Sequence, residues 1–183
     1  MSKKMTVAIL GLGSRGLQVY GEIVKNYGSI MEVTAVADLL PERLANAKKL
    51  FNLNEDACFS DADELLSREQ LADAVFICTQ DRDHVPQAKK ALKKGYHILL
   101  EKPVSPSVRE CTELLNEAKK YDRKVCVCHV LRYTPFYSTL KKCWHREILE
   151  KLLTYRLGKT LDFFTRHIHL YGETGETVKK QVL

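Results

Sequence analysis

The chain has 183 residues, 45% of them apolar and 28% charged, enough for one domain with a sizeable core and the beginning of a second. No apolar run is long enough to span a bilayer, and Met1-Ser2-Lys3-Lys4 leads straight into a strand pattern instead of a signal-peptide core, which predicts a cytoplasmic protein with no membrane partner. The net charge of +6 does not predict a nucleic-acid partner: nine Lys/Arg against five Asp/Glu fall after residue 140, and no basic face interleaved with aromatics is visible.

Strand-like and helix-like segments alternate in chain order. Met5 to Leu10 is an apolar run ending at glycine, and Ser14 to Asn26 is a helix with Leu17, Tyr20, Ile23 and Val24 on one face. Glu32 to Ala37 is a β-branched strand closed by Asp38, and Pro41 opens a helix carrying Leu44, Ala47, Leu50 and Phe51. Ala57 to Phe59 is a short strand and Asp61 to Leu66 a small helix. Ala74 to Cys78 is almost wholly apolar, as a strand covered on both faces should be. Asp83 to Lys94 is a helix stopped by Gly95, followed by a strand from Tyr96 to Leu100. Ser105-Pro106 opens a helix reaching Tyr121, and Lys124 to Val130 is the last strand. Strands separated by helices predict an α/β fold: a doubly wound parallel sheet of Rossmann type, order 3-2-1-4-5-6, over residues 1–130.

This order places Gly11-Leu12-Gly13-Ser14-Arg15-Gly16, a G-x-G-x-x-G sequence, at the first strand-to-helix turn. Gly11 would allow the tight turn, Gly13 would let backbone amides approach a pyrophosphate, and Gly16 would let helix and strand pack closely. The helix N-terminus would then present unpaired N–H groups to the phosphates. Asp38, 22 residues after Gly16, reads as the acid for the adenosine ribose hydroxyls, with a helix cap before Pro41 as the alternative. A carboxylate there favours NAD over NADP, because it repels a 2′-phosphate; Arg15 and Arg43 soften that preference and keep NADP as a second coenzyme. The six cysteines include no C-x-x-C pair and read as reduced thiols, with no metal site.

Further along stand Phe76-Ile77-Cys78-Thr79-Gln80-Asp81-Arg82-Asp83-His84 and Gly95-Tyr96-His97-Ile98-Leu99-Leu100-Glu101-Lys102-Pro103. Together they resemble the Gfo/Idh/MocA family, the relatives of glucose–fructose oxidoreductase and inositol dehydrogenase. That pattern is a strand ending in T-P-N-x-x-H, a helix, then G-x-x-V-x-x-E-K-P. His129 to Pro135 resembles the segment leading into that family's substrate domain, so residues 131–142 would be a linker or the start of that domain. The resemblance implies an NAD(P)-dependent oxidoreductase that moves hydride between nicotinamide and a hydroxyl of a small polyol or sugar. Thr79 and Gln80 would lie against the coenzyme, with Gln80 where Asn is usual. His84 would be a structural cap or a neighbour on the nicotinamide side. Glu101 and Lys102 would sit beside the nicotinamide, Lys102 as the catalytic group stabilising charge at the reacting hydroxyl. A methyltransferase sheet also carries a glycine loop and an acid, but Glu101-Lys102-Pro103 has no role in one. The alternative from another class is a non-catalytic dinucleotide-binding or sensing domain.

After Lys142 the resemblance stops. Residues 143–183 read as an aberrant tail, partly helical or disordered, standing where the family has its second α/β domain. A shifted reading frame permits strings such as V-R-G-N-W-R-N-S-E-E-T-S-P from Tyr171 onward, which resemble one branch of the family. The expectation is a frameshift near Lys142 and a chain reduced to the nucleotide-binding half, with His167 and His169 placed by chance.

Overall fold

The computed structural model describes residues 3–144. The readings of residues 145–183 as frameshifted, partly helical or disordered, and of His167 and His169 as chance neighbours, lie outside the described residues. One compact unit ends at Cys128, and a second begins at His129.

Six parallel strands form one sheet in the order β3-β2-β1-β4-β5-β6. They are β1 (Met5–Leu10), β2 (Met31–Ala37), β3 (Cys58–Phe59), β4 (Ala74–Ile77), β5 (His97–Leu100) and β6 (Val125–Val127). The connecting helices are α1 (Glu22–Asn26), α2 (Pro41–Phe51), α3 (Ala62–Ser67), α4 (His84–Lys93) and α5 (Val108–Lys120). β1 lies at the centre, paired with β2 on one side and β4 on the other. Since every crossover carries a helix and both sheet faces are covered near β1, the core divides in two. One layer joins Ala8, Leu10, Val75, Ile77, Ile98 and Leu100 to Leu92 and Leu114 of α4 and α5. The other joins Val7, Ile9, Val36 and Phe76 to Tyr20, Val24 and Ala47. A single extra residue, Thr34, bulges β2 between Val33 and Ala35, so Val33 and Val36 both face the second layer.

Several boundaries differ from the sequence expectation. Ser14 to Asn26 is not one α-helix: Ser14–Gly21 is a π-helix, with the Glu22 N–H donating to the Leu17 carbonyl five residues back, and only Glu22–Asn26 is α-helical. Each residue of the wider turn advances less around the axis, so Tyr20 and Val24 are buried while Ile23 turns out, 43% exposed. The fifth helix begins at Val108, not Ser105, because the Ser107 side chain caps it by accepting the Glu110 N–H. β4 ends at Ile77 and β5 begins at His97. β6 ends at Val127, and Val130 opens a 3-10 turn, Val130–Tyr133, in the second unit. That unit continues as α6 (Pro135–Trp144), in which Phe136 and Tyr137 meet edge to face at 5.1 Å. No helix among the described residues is long and apolar enough to cross a membrane.

The start of β1 is tied to the start of β4 by one side chain. The Thr6 N–H and hydroxyl both donate to Asp73 Oδ2, at 2.9 and 2.8 Å. These bonds hold the Asp73 carboxyl below its ordinary value, the Thr6 backbone N–H contributing most and its hydroxyl next. A depressed folded value means the ionised group stabilises the fold above the ordinary aspartate range, about 3.9 in free peptides, and that this contribution is lost as pH falls through the depressed value. Asp73→Asn is therefore expected to lower the urea midpoint at neutral pH, with the gap to wild type closing in acid; paired urea melts across pH check it.

Candidate functional site

The carboxyl ends of the strands define the site. β1 ends in Leu10, and the chain turns at Gly11 with φ +83°. A Cβ there would stand 2.6 Å from the Cys78 carbonyl oxygen, so both backbone sign and space demand glycine. Gly16 is demanded more strongly: its Cβ would fall 1.8 Å from the Gly11 carbonyl oxygen. Gly13 is different. Its φ is −74°, and the nearest atom to an added Cβ is Arg43 Nη1 at 3.7 Å. Nothing within the described protein requires a glycine at residue 13. The helix that follows begins at Ser14, and its first N–H donor inside the chain is Leu17, to the Gly13 carbonyl at 2.9 Å. The N–H groups of the first turn have no intrahelical acceptor and point out of the loop with the positive end of the helix dipole.

Asp38, at the end of β2, is 8% exposed. Its Oδ2 accepts the Leu12 N–H at 2.6 Å, and its Oδ1 accepts the Leu40 N–H at 2.9 Å. The carboxylate thus holds the crest of the glycine loop and, across the turn, the entry to α2. Arg43 Nη1 lies 3.6 Å from Oδ2. Of the two roles weighed from sequence, the structure shows a form of the second: Asp38 closes the turn before Pro41 by accepting the Leu40 N–H, while Leu40 itself is the N-cap of α2. Leu39 beside it is 76% exposed.

On the other side of β1, Thr79 and Gln80 leave the end of β4. The Thr79 hydroxyl donates to Gln87 Oε1 at 2.6 Å, and Gln80 precedes a 3-10 turn, Asp81–Asp83, that feeds α4. His84 opens α4, fully buried, its Nδ1 2.7 Å from the Pro103 carbonyl and its Nε2 3.2 Å from that of Thr79. Both facing atoms are carbonyl oxygens, which only accept, so each contact is a hydrogen bond where the ring nitrogen carries a proton, and the shorter Nδ1 contact is the better placed. The ring joins the loop after β4 to the loop after β5.

Glu101, at the end of β5, is 6% exposed. Its Oε1 accepts the Tyr20 hydroxyl at 2.6 Å and stands 3.6 Å from Arg15 Nε, while its Oε2 accepts the Lys102 N–H at 3.0 Å. The Lys102 side chain is exposed, with no carboxylate within salt-bridge range among the described residues. The Lys102–Pro103 peptide is cis. Cys78 and Cys128 lie close to Glu101. Burial first, then the charge of Glu101, pushes the Cys78 thiol well up, and burial raises Cys128 too, so both stay protonated. Every sequence-predicted residue therefore lies on the strand-end rim, with Gly11 to Gly16 and Asp38 on one side and Thr79, Gln80, His84, Glu101 and Lys102 on the other. Tyr20, read from sequence only as part of an apolar face, was missed as Glu101's partner. The signal available was that a buried tyrosine hydroxyl needs an acceptor.

Comparisons with known proteins identify the family and the fold. Residues 5–129 match the model of the Gfo/Idh/MocA family, described as an oxidoreductase family with an NAD-binding Rossmann fold. The chain is 29% identical over 156 residues to putative oxidoreductase YteT of Bacillus subtilis, covering 84% of this chain and 35% of that protein. It is 33% identical over 127 residues to glycosyl hydrolase family 109 protein 1 of Bacteroides fragilis, covering 66% of this chain and 27% of that one. The chain thus spans about a third of the length of these relatives. Among solved structures, scyllo-inositol dehydrogenase from Lactobacillus casei with bound NAD(H) and scyllo-inositol superposes with a TM-score of 0.70 at 23% identity, covering 79% of this chain and 42% of that one.

The two loop glycines should separate experimentally. Gly16→Ala forces a Cβ into a backbone oxygen that cannot swing aside and is expected to cost about 3 kcal/mol or more. Gly13→Ala is expected to shift stability by about 0.5 kcal/mol or less. Urea melts of the two variants beside wild type measure both.

Proposed function

This chain belongs to the Gfo/Idh/MocA oxidoreductases, and on that premise we propose that it is the coenzyme-binding half of an NAD-dependent enzyme acting on a hydroxyl of a sugar or cyclitol. The observation that carries the reading is Gly13. Two of the three motif glycines are required by the protein's own packing, whereas the third leaves a cradle that a Cβ would fill, beside unpaired helix N–H groups. A pyrophosphate approaching this turn needs that opening.

In this reading the amides from Gly13 to Gly16 hold the pyrophosphate, and Arg15 adds charge at its edge. Asp38, already oriented by the Leu12 and Leu40 N–H groups, accepts from the adenosine ribose with its remaining lone pairs. Its negative charge disfavours a 2′-phosphate, making NAD the preferred coenzyme, and Arg43 at 3.6 Å leaves NADP as the weaker one. Thr79 and Gln80 line the nicotinamide half, and His84 braces them from behind. When bound, the nicotinamide supplies a hydride acceptor at its C4. Lys102, set between Glu101 and Pro103, donates a hydrogen bond to the substrate hydroxyl and stabilises charge developing on its oxygen. The names of the relatives and structural neighbours, glycosyl hydrolases and inositol dehydrogenases, support a polyhydroxylated ring as the substrate class. A cytoplasmic location fits Cys58, Cys78, Cys111, Cys126 and Cys128, which are free thiols.

Calorimetry on the full chain tests the proposal. NAD should bind more tightly than NADP, and Gly13→Ala should weaken NAD by about tenfold or more while the fold persists. Folded wild-type protein that takes up neither coenzyme would overturn it.

A further inference from the structure

Lys102 has no side-chain partner among the described residues, yet the backbone on both sides of it is clamped. Behind it, Pro103 is held through its carbonyl by the His84 ring. In front, Glu101 is held by Tyr20 and Arg15, and its free oxygen reaches back to the Lys102 N–H. Tyr20 and Arg15 come from the helix that begins at the glycine loop, whereas Glu101 ends β5 on the far side of β1. The bond therefore ties the helix after β1 to the loop after β5, across β4. The π-helical turn makes it: Tyr20 lies within Ser14–Gly21, 9% exposed, its ring also edge to face with Phe76 at 5.9 Å.

Resting on the reading above that this crevice takes NAD, we infer that Tyr20 is a positioning residue for the nicotinamide half of the site: its hydroxyl fixes the Glu101 carboxylate, which in turn fixes the backbone of Lys102. Burial, then the Cys128 thiol and Glu101, keeps the phenol protonated well above physiological pH, so it acts as a permanent donor. A carboxylate only 6% exposed has few alternatives if that donor is removed. Glu101 would keep its contact with Arg15 but lose its fixed orientation, the Lys102 N–H bond would slacken, and the loop would have to be ordered anew each time nicotinamide docks. The pyrophosphate and adenosine contacts, made by Gly13 to Gly16 and Asp38, would be untouched.

Two ligands separate these halves. NADH occupies the whole crevice; ADP-ribose carries the same adenosine and pyrophosphate but no nicotinamide. On the full chain, Tyr20→Phe should weaken NADH by about tenfold, the scale of one hydrogen bond to a charged group, and ADP-ribose by less than about twofold. A merely structural role would weaken both alike, and that result, or no loss for either, overturns the inference while leaving the proposed function standing. Wild-type protein that binds neither ligand overturns both. Should Tyr20→Phe fail to fold, 3-fluorotyrosine at position 20 keeps the hydroxyl. Its ¹⁹F resonance should move on addition of NADH and stay in place with ADP-ribose; equal movement with both, or none with either, rejects the role.

Discussion

The site depends first on the approach of Gly16 to the carbonyl of Gly11. A Cβ at residue 16 would overlap that oxygen, so only a chain without one can bring the first helix down onto the end of β1. Once the helix is there, the turn between them must curl, and Gly11 takes the positive φ that curling requires. The crest at Leu12 would otherwise present an unpaired N–H to a buried surface, and Asp38 accepts it from the neighbouring strand. One steric allowance thus sets the loop, orients the acid and aims the helix N-terminus out of the sheet.

The second half of the crevice is built differently, from side chains that brace backbone. His84 reaches two carbonyls in two loops, and Glu101 gathers Tyr20, Arg15 and the Lys102 amide. None of these bonds closes a regular element. They hold three loops from β1, β4 and β5 in register, so Lys102, whose ammonium has no carboxylate partner among the described residues, stands on a backbone fixed from both sides. Buried polar groups with complete sets of partners cost little and specify one arrangement. No buried side-chain nitrogen or oxygen among the described residues lacks a partner.

Much of this was legible along the chain because apolar residues repeat with the period of the element that buries them. Ala74 to Ile77 is buried at every position, as a strand covered on both faces must be, and the order β3-β2-β1-β4-β5-β6 follows once each strand is seen to be joined through a helix. Asp38 was legible because it directly follows a strand, whereas Thr79 and Glu101 were read through the resemblance to the family's motifs. Boundaries were less so: Ser107 outcompeted Ser105-Pro106 for the helix cap through a single hydrogen bond to Glu110, which local composition does not distinguish.

The sequence by itself determined the sheet, its strand order and the placing of glycines and acids at the strand ends, since these follow from local periodicity and from backbone conformations open only to glycine. Only the tertiary structure decided that Tyr20 faces Glu101, that His84 joins Thr79 to Pro103, and that Gly13 alone among the loop glycines has no neighbour in the protein to explain it. The first two are contacts between residues 81 and 19 positions apart, and the π-turn that rotates Tyr20 inward leaves no mark in an apolar pattern that reads equally well as α-helix. Distance along the chain carries no information about such pairs; they are set by how helix and sheet pack.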